Sequence, residues 1–390
     1  GSGYDHNPLM HGMFWFIANG SVFFLFGDND FTLRLLSAIF GTILVLTPIL
    51  LKDRIGLLAS LILSIIFAIS PHLLYFSRFA RNDIIMAVWT MGLLIFFWKY
   101  IETSRMSNLY ILVIFLALSF VTKETSYITV FIFGIWLLFK SRSDLYRVVF
   151  RRKGFKGVNP HTDLFVILFT LCLPLSAPLI GLFQDLIGVI LIAKEGTVGV
   201  STGLPSGGLG YAIAVIVSIV FFTISAVIGL LWGGKKWLTI ASIFWGLYFL
   251  FYSTFFTNVP GIGTGLWQSL GYWISQQDVA RGGQPWYYYF VIFSNYEFLP
   301  FICGVIAIIY YSFNGDSFKK FLVFWSVLTF ILYSLSSEKM PWLTVNVVLP
   351  FIILTAVFSA DLIRKSYEKK FSFELNSISF LTPVVLIVTL

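Results

Sequence analysis

Ser77-Arg78-Phe79-Ala80-Arg81-Asn82-Asp83 separates two apolar runs, residues 55–73 and 84–98, each suited in length to a membrane helix. On a helix Arg78 and Arg81 share one face, three residues apart, with Asp83 beside them. A charge at the centre of a bilayer costs roughly 2.5–3.5 kcal/mol on insertion scales. Two arginines and an aspartate at a helix mouth therefore need a partner or a role. In one reading, arginine and aspartate neutralise each other while the arginine stems snorkel to the headgroups. In the other, the planar guanidinium forks hold a phosphate.

The rest of the chain has the same texture. Of its 390 residues 58% are hydrophobic and 11% charged, and 19% are aromatic. That balance excludes an ordinary soluble core and predicts an all-α, polytopic transmembrane bundle. Beyond the two runs above, spans are expected at residues 35–51, 109–121, 127–139, 165–182, 211–232, 237–252, 289–310, 321–335, 344–360 and 378–390. That makes about 12, in a single domain over residues 1–390. The run 13–26 is short and interrupted by Asn19-Gly20-Ser21, which suits a half-inserted helix better than a crossing. Cys172 and Cys303 both fall in apolar runs and read as small packing residues. The opening stretch is polar, with no signal peptide. The last residues, ending at Leu390, are apolar, so a preceding span and perhaps a following one are expected outside this sequence.

A net charge of +8 in a soluble protein would suggest nucleic acid. Here the positions of the charges explain it. If the first loop is extracytoplasmic, 19 of the 26 basic residues fall in the alternate, cytoplasmic loops, with the densest group in a loop at residues 140–160. This is the positive-inside bias, and no nucleic acid partner is needed. The basic residues that remain are Arg34, Arg78, Arg81, Lys123, Lys194, Arg281 and Lys339.

The outer side also holds Tyr4, Asp5, His6, His11, His72, Glu124, Glu338 and Trp342, and a long extracytoplasmic loop over residues 256–289. Polar side chains of both signs at several outer helix mouths describe an outward-facing cavity. Within the loop, Gly261, Gly263 and Gly265 suit either a turn or a close backbone approach to a ligand. Arg281, Gln284, Trp286 and Tyr288 suit an aromatic belt, and they also suit a sugar site of flat faces and fixed hydrogen-bonding groups. Asp5, His6 and His11 are possible ligands for a divalent metal ion, or ordinary hydrogen-bonded loop residues.

Several blocks together resemble a known family. YDHNPLMHGMFWF, GDNDFTLRLLSAIFG, SRFARNDIIMA, FVTKETSYIT, GIGTGLWQSLGYW, RGGQPWYYY and SSEKMPWL resemble the flippase-activity-associated membrane proteins of archaea and bacteria. These are similar to protein O-mannosyltransferases and aminoarabinose transferases, in the C superfamily of glycosyltransferases (GT-C). The similarity runs in order from Tyr4 to about residue 349. It implies a GT-C-like bundle with its active site on the extracytoplasmic face of a prokaryotic plasma membrane. It also implies a polyprenyl-phosphate-linked sugar donor and inversion at the sugar carbon. Basic residues at the outer helix mouths would stabilise the leaving phosphate, and a first-loop carboxylate would take the acceptor proton.

The implied substrate-binding residues are Tyr4, His6, His11, Arg78, Arg81, Asp83, Lys123, Glu124, Arg281, Gln284, Tyr288, Glu338, Lys339 and Trp342. Asp5 is the catalytic candidate within the chain. The family's main acidic motif is expected upstream of Gly1, and here His6 and Asn7 separate Asp5 from the proline that usually follows closely. Two other readings compete: a non-catalytic protein associated with flipping lipid-linked sugars, and a transporter. Transporters carry charges near span centres. Here the charges lie at helix mouths, which favours the first two.

Overall fold

The computed structural model describes residues 11–151, 154–277, 279 and 283–370. Among the described residues every regular element is helical. The first helices are α1 (Met13–Phe26) and α2 (Asp30–Leu46), followed by α3 (Leu57–Ile69) and α4 (Pro71–Ser77). Then come α5 (Asp83–Thr103), α6 (Met106–Phe120), α7 (Thr125–Val149) and α8 (Pro160–Cys172). The second half holds α9 (Gly207–Gly233), α10 (Lys235–Tyr252), α11 (Ser269–Gln276), α12 (Tyr288–Tyr296), α13 (Phe298–Asn314), α14 (Ser317–Leu335) and α15 (Thr344–Lys370).

Two helices form the centre. Both α5 and α15 are apolar all round, which a helix can be only inside protein or lipid. The most apolar window of α5 is 83% buried and that of residues 341–367 is 89% buried, against 17% for α9. So α5 and α15 are wrapped by protein, while α9 turns most of its surface outward to lipid. Around the centre, α2 and α6 pack on α5, and α3, α13 and α14 pack on α15.

Three expected spans are bent. α3 and α4 meet at 62°, where Ser70 caps α4 and Pro71 occupies its first position. α8 turns by 64° into a 3₁₀ run, Pro174–Phe183, that carries Pro174 and Pro178. α12 and α13 meet at 111° around Glu297. Buried Glu297 ties two of these breaks together. It accepts from Ser70 Oγ at 2.7 Å and from the His72 backbone N–H at 3.0 Å, with His72 Nδ1 at 3.1 Å. Breaks of this kind survive in a membrane because side chains satisfy the freed backbone groups.

Five helices are long and apolar enough to cross a bilayer, or eight if each bent pair is one span. The chain is an all-α, polytopic integral membrane protein, but the count of about 12 spans is not reached among the described residues. Two reasons are physical. α6 has 15 residues, fewer than the ~20 of a perpendicular crossing. The last third of α7 carries Lys140, Arg142, Asp144 and Arg147. The expected span at residues 378–390 falls outside the described residues.

Three local expectations are corrected. Residues 140–149, read as loop, continue α7, and Asp144 pairs with Arg147 at 3.2 Å along it. Residues 261–276, also read as loop, are helical, through a π-turn at Thr264–Gln268 into α11. Three of its glycines, Gly261, Gly265 and Gly271, serve packing between segments. A Cβ on Gly261 would sit 2.1 Å from the Tyr252 carbonyl oxygen, and one on Gly265 would strike the Tyr252 ring at 2.6 Å. Finally, Arg78 and Arg81 do not share a helix face, because α4 ends at Ser77 and α5 begins at Asp83.

The end of the bundle away from Arg81 is closed by paired charges. Arg54 contacts Glu102 at 3.4 Å and Asp316 at 2.9 Å, over the rings of Trp98 and Phe318. Lys319 and Tyr311 converge on Asp361.

Candidate functional site

Three segments meet at the opposite end. The first is the turn 78–82, held by the Arg81 N–H donating to the Phe79 carbonyl at 2.8 Å. The second is the turn 121–124 between α6 and α7. The third is residues 11–14, which lie along that second turn. Gly12 N–H donates to the Thr122 carbonyl at 3.2 Å and Phe14 N–H to the Val121 carbonyl at 2.9 Å. The approach is so close that a Cβ on Gly12 would stand 2.2 Å from the Val121 oxygen. The Asn82 amide also donates to the Thr122 carbonyl, at 3.4 Å, and the Trp89 indole N–H donates to the Thr122 hydroxyl at 3.1 Å. Thr122 thus joins all three segments.

The charges follow this frame. Lys123 Nζ lies 2.5 Å from Asp83 Oδ1, with Lys123 2% exposed and Asp83 fully buried. Asp83 Oδ2 accepts from Arg81 Nε at 3.2 Å. The Arg81 guanidinium lies 3.7 Å from the centroid of the Trp342 ring, a cation–π contact. His11 Nδ1 lies 2.7 Å from Glu124 Oε2. The neighbours Lys123 and Glu124 therefore do not neutralise each other: each takes a partner from another segment. Burial lowers the Lys123 ammonium's pKa, and the adjacent Asp83 carboxylate offsets part of that fall. Burial by itself raises the Glu124 carboxyl. His11 beside it, with backbone and Lys123 help, turns the net shift downward from 4.5.

A cavity of about 340 Å³ opens above these groups. Its wall includes His11, Trp15, Phe16, Ala80, Arg81, Asn82 and Glu124 from the first half of the chain. Tyr272, Trp273, Glu338 and Trp342 complete it from the second half. The segment carrying Glu338 and Trp342 is anchored at two points. Ser337 N–H donates to Gln277 Oε1 at 3.2 Å, and Tyr289 OH donates to the Met340 carbonyl at 3.4 Å.

Of the residues singled out in the sequence, His11, Arg81, Glu124, Glu338 and Trp342 line this cavity. Asp83 and Lys123 lie buried behind Arg81. Lys339 turns back to donate to the Ser336 carbonyl at 2.7 Å. Arg78 and Gln284 are exposed and Tyr288 is half-buried, and none of the three is on the cavity wall. Tyr4, Asp5, His6 and Arg281 lie outside the described residues. No group of three or more His, Cys, Asp or Glu side chains is arranged to hold a metal ion among the described residues.

Six lining residues escaped the reading of the sequence as site residues: Trp15, Phe16, Ala80, Asn82, Tyr272 and Trp273. Asn82 sits inside SRFARND and was passed over for its charged neighbours. Trp15 and Phe16 read as part of a half-inserted helix. Tyr272 and Trp273 became visible only when the supposed loop proved to be α11.

Residues 6–175 match the family model of dolichyl-phosphate-mannose-protein mannosyltransferases. No curated protein sequence matches the chain. Among solved structures, the oligosaccharyltransferase of Archaeoglobus fulgidus in complex with zinc and sulfate superposes with a TM-score of 0.51 at 17% identity. That match covers 94% of this chain and 41% of the other. Its apo form gives 0.50 at 16% identity, over 97% of this chain and 46% of that one. ArnT from Cupriavidus metallidurans in the apo state gives 0.47 at 15% identity, over 93% and 52%. The chain thus spans about half the length of these neighbours. The chain shares the fold of the Archaeoglobus fulgidus oligosaccharyltransferase, and residues 6–175 are similar to the mannosyltransferase family.

Proposed function

We propose that the chain is the membrane part of a glycosyltransferase that takes a sugar from a polyprenyl-phosphate carrier and passes it to an acceptor in the cavity. The observation that carries this reading is the setting of Arg81. It lies at a helix mouth, inside the stretch that matches a family described by a dolichyl-phosphate sugar. Asp83 holds Nε, which leaves the two terminal nitrogens for a phosphate. Trp342 fixes the plane of the fork. Exposed Tyr75 and Phe79, stacked at 5.6 Å, offer the start of a prenyl chain an apolar surface beside Arg81.

As the bond from sugar to phosphate breaks, negative charge grows on the phosphate. A guanidinium already oriented there stabilises that charge without further reorganisation. Trp15, Trp273 and Trp342 give the sugar flat apolar faces, and Glu338 gives it an acceptor. Attack from the side opposite the phosphate inverts the sugar carbon.

The test uses vesicles holding the purified protein and polyprenyl-phosphate mannose labelled in the sugar. The reading expects the label to leave the lipid fraction, and expects nucleotide-linked mannose to stay intact. Movement of intact lipid-linked sugar across the bilayer without loss of label would favour the flippase-associated alternative.

The same reading puts the cavity on the extracytoplasmic side, because the basic residues gather at the other end. Single cysteines at the exposed positions 284 and 142 should differ in cells: an impermeant thiol reagent added outside should modify the first and spare the second. The reverse pattern would invert the orientation.

A further inference from the structure

We propose that His11 and Glu124 form a general-base dyad, and that the acceptor therefore presents a carbon-borne hydroxyl, not a phosphate. This rests on the glycosyltransferase reading above and adds to it the acceptor class and the proton's destination.

The geometry is that of an oriented base. Glu124 sits in the 121–124 turn with its side chain 6% exposed, while the His11 side chain is 29% exposed and lines the cavity. The contact at 2.7 Å uses His11 Nδ1. A carboxylate can only accept, so Nδ1 is the donor, and in the neutral imidazole Nε2 keeps its lone pair. Among the described residues Nε2 has no hydrogen-bond partner. His11 also has φ +70°, a region that non-glycine residues seldom occupy. Two backbone hydrogen bonds from Gly12 and Phe14 to the 121–122 turn hold the chain there. A strained backbone that the surroundings over-determine is a known mark of functional placement.

The charge of the cavity points the same way. Its wall carries two carboxylates, Glu124 and Glu338, with Arg81 as the guanidinium. With the donor phosphate on Arg81, a second phosphate on the acceptor would face those carboxylates uncompensated. A hydroxyl brings no charge, but its oxygen is a poor nucleophile until its proton is taken.

The step balances as follows. The acceptor oxygen bonds to the anomeric carbon of the donor sugar. The bond from that carbon to the phosphate oxygen breaks, and its electron pair leaves with the prenyl phosphate. The acceptor proton passes to His11 Nε2, and Glu124 stabilises the resulting imidazolium. Water then takes the proton. His11 is the catalytic residue and Glu124 a positioning residue.

The test is made in the native host, with its gene deleted and replaced by the full-length wild-type or variant gene. The readout is the envelope sugar that the wild-type gene restores, measured by mass spectrometry. Affinity for undecaprenyl phosphate is measured alongside on each purified variant. His11→Ala is expected to lower transfer about 10²–10⁴-fold, with donor affinity within twofold of wild type and partial recovery in added imidazole. Glu124→Gln keeps the shape of the side chain but should lose most transfer, and Glu124→Asp should recover part of it. The restored sugar should resist the mild acid that cleaves glycosyl phosphates.

Wild-type transfer by His11→Ala, or equal loss by Gln and Asp at 124, would overturn the dyad. Acid-labile sugar would overturn the hydroxyl acceptor. If the wild-type gene itself restores no sugar, the glycosyltransferase reading fails first, and that outcome is distinct from the other two.

Discussion

Asp83→Asn is expected to destabilise the protein by about 3–5 kcal/mol, the cost of stranding one charge of a buried pair. Lys123 is 2% exposed, and its ammonium lies 2.5 Å from Asp83. With the carboxylate gone, Lys123 must stay charged without an anion or give up its proton. Either is costly in a site closed to water. The unfolding temperature in detergent should fall by roughly 10 °C, given a few degrees per kcal/mol in a chain of this size. The decisive comparison is the double variant Asp83→Asn with Lys123→Met. Removing both charges replaces a stranded ion by an apolar contact of similar shape, and most of the lost stability should return. A double variant no more stable than Asp83→Asn would mean that the pair is not what holds the turns together.

Arg81→Lys is expected to weaken binding of undecaprenyl phosphate by about one to two decades, almost as much as Arg81→Ala. One charge-assisted phosphate contact is worth on the order of 1.5–3 kcal/mol. Lysine keeps the charge, but it loses the bond from Nε to Asp83, the face laid on Trp342 and the two-pronged fork. Arg78 supplies the contrast. It is exposed and off the cavity wall, so Arg78→Lys should weaken binding by less. Both variants should melt within a few degrees of wild type, since Lys123 still neutralises Asp83. Undiminished affinity in well-folded Arg81→Lys would remove the phosphate role from this residue.

The two readings open at SRFARND turn out to be compatible. Arg81 does pair with Asp83, as the bland reading held. The pair still leaves the fork facing a cavity, as the sharper one required. The sequence carried the class of the fold because span-length apolar runs and one-sided basic loops are physical necessities in a bilayer. It also pointed to His11, Arg81, Glu124, Glu338 and Trp342, which line the cavity, since a charge at a helix mouth is costly without a use. What it could not carry was partnership. Lys123 and Glu124 are neighbours in sequence, yet they do not pair with each other. Their actual partners, Asp83 and His11, lie 40 and 113 residues away in the chain.

The bends were half visible. Ser70-Pro71 and Pro174 announce breaks, but nothing local to Glu297 says that its carboxylate would gather the Ser70 hydroxyl and the His72 amide. The glycines at 261 and 265 misled for a related reason. Missing side chains mark a close approach, and only the fold says that the approaching group is Tyr252 and not a ligand.

The central claim is that the donor phosphate rests on Arg81 in the cavity at this end of the bundle. Cryo-electron microscopy of the full-length protein in nanodiscs with undecaprenyl phosphate tests it most directly. The account predicts phosphate density within hydrogen-bond distance of the terminal nitrogens of Arg81, with the guanidinium still on Trp342 and Nε still on Asp83. Phosphate density at the opposite end, near Arg54 and Lys319, with the Arg81 cavity empty of lipid, would contradict it.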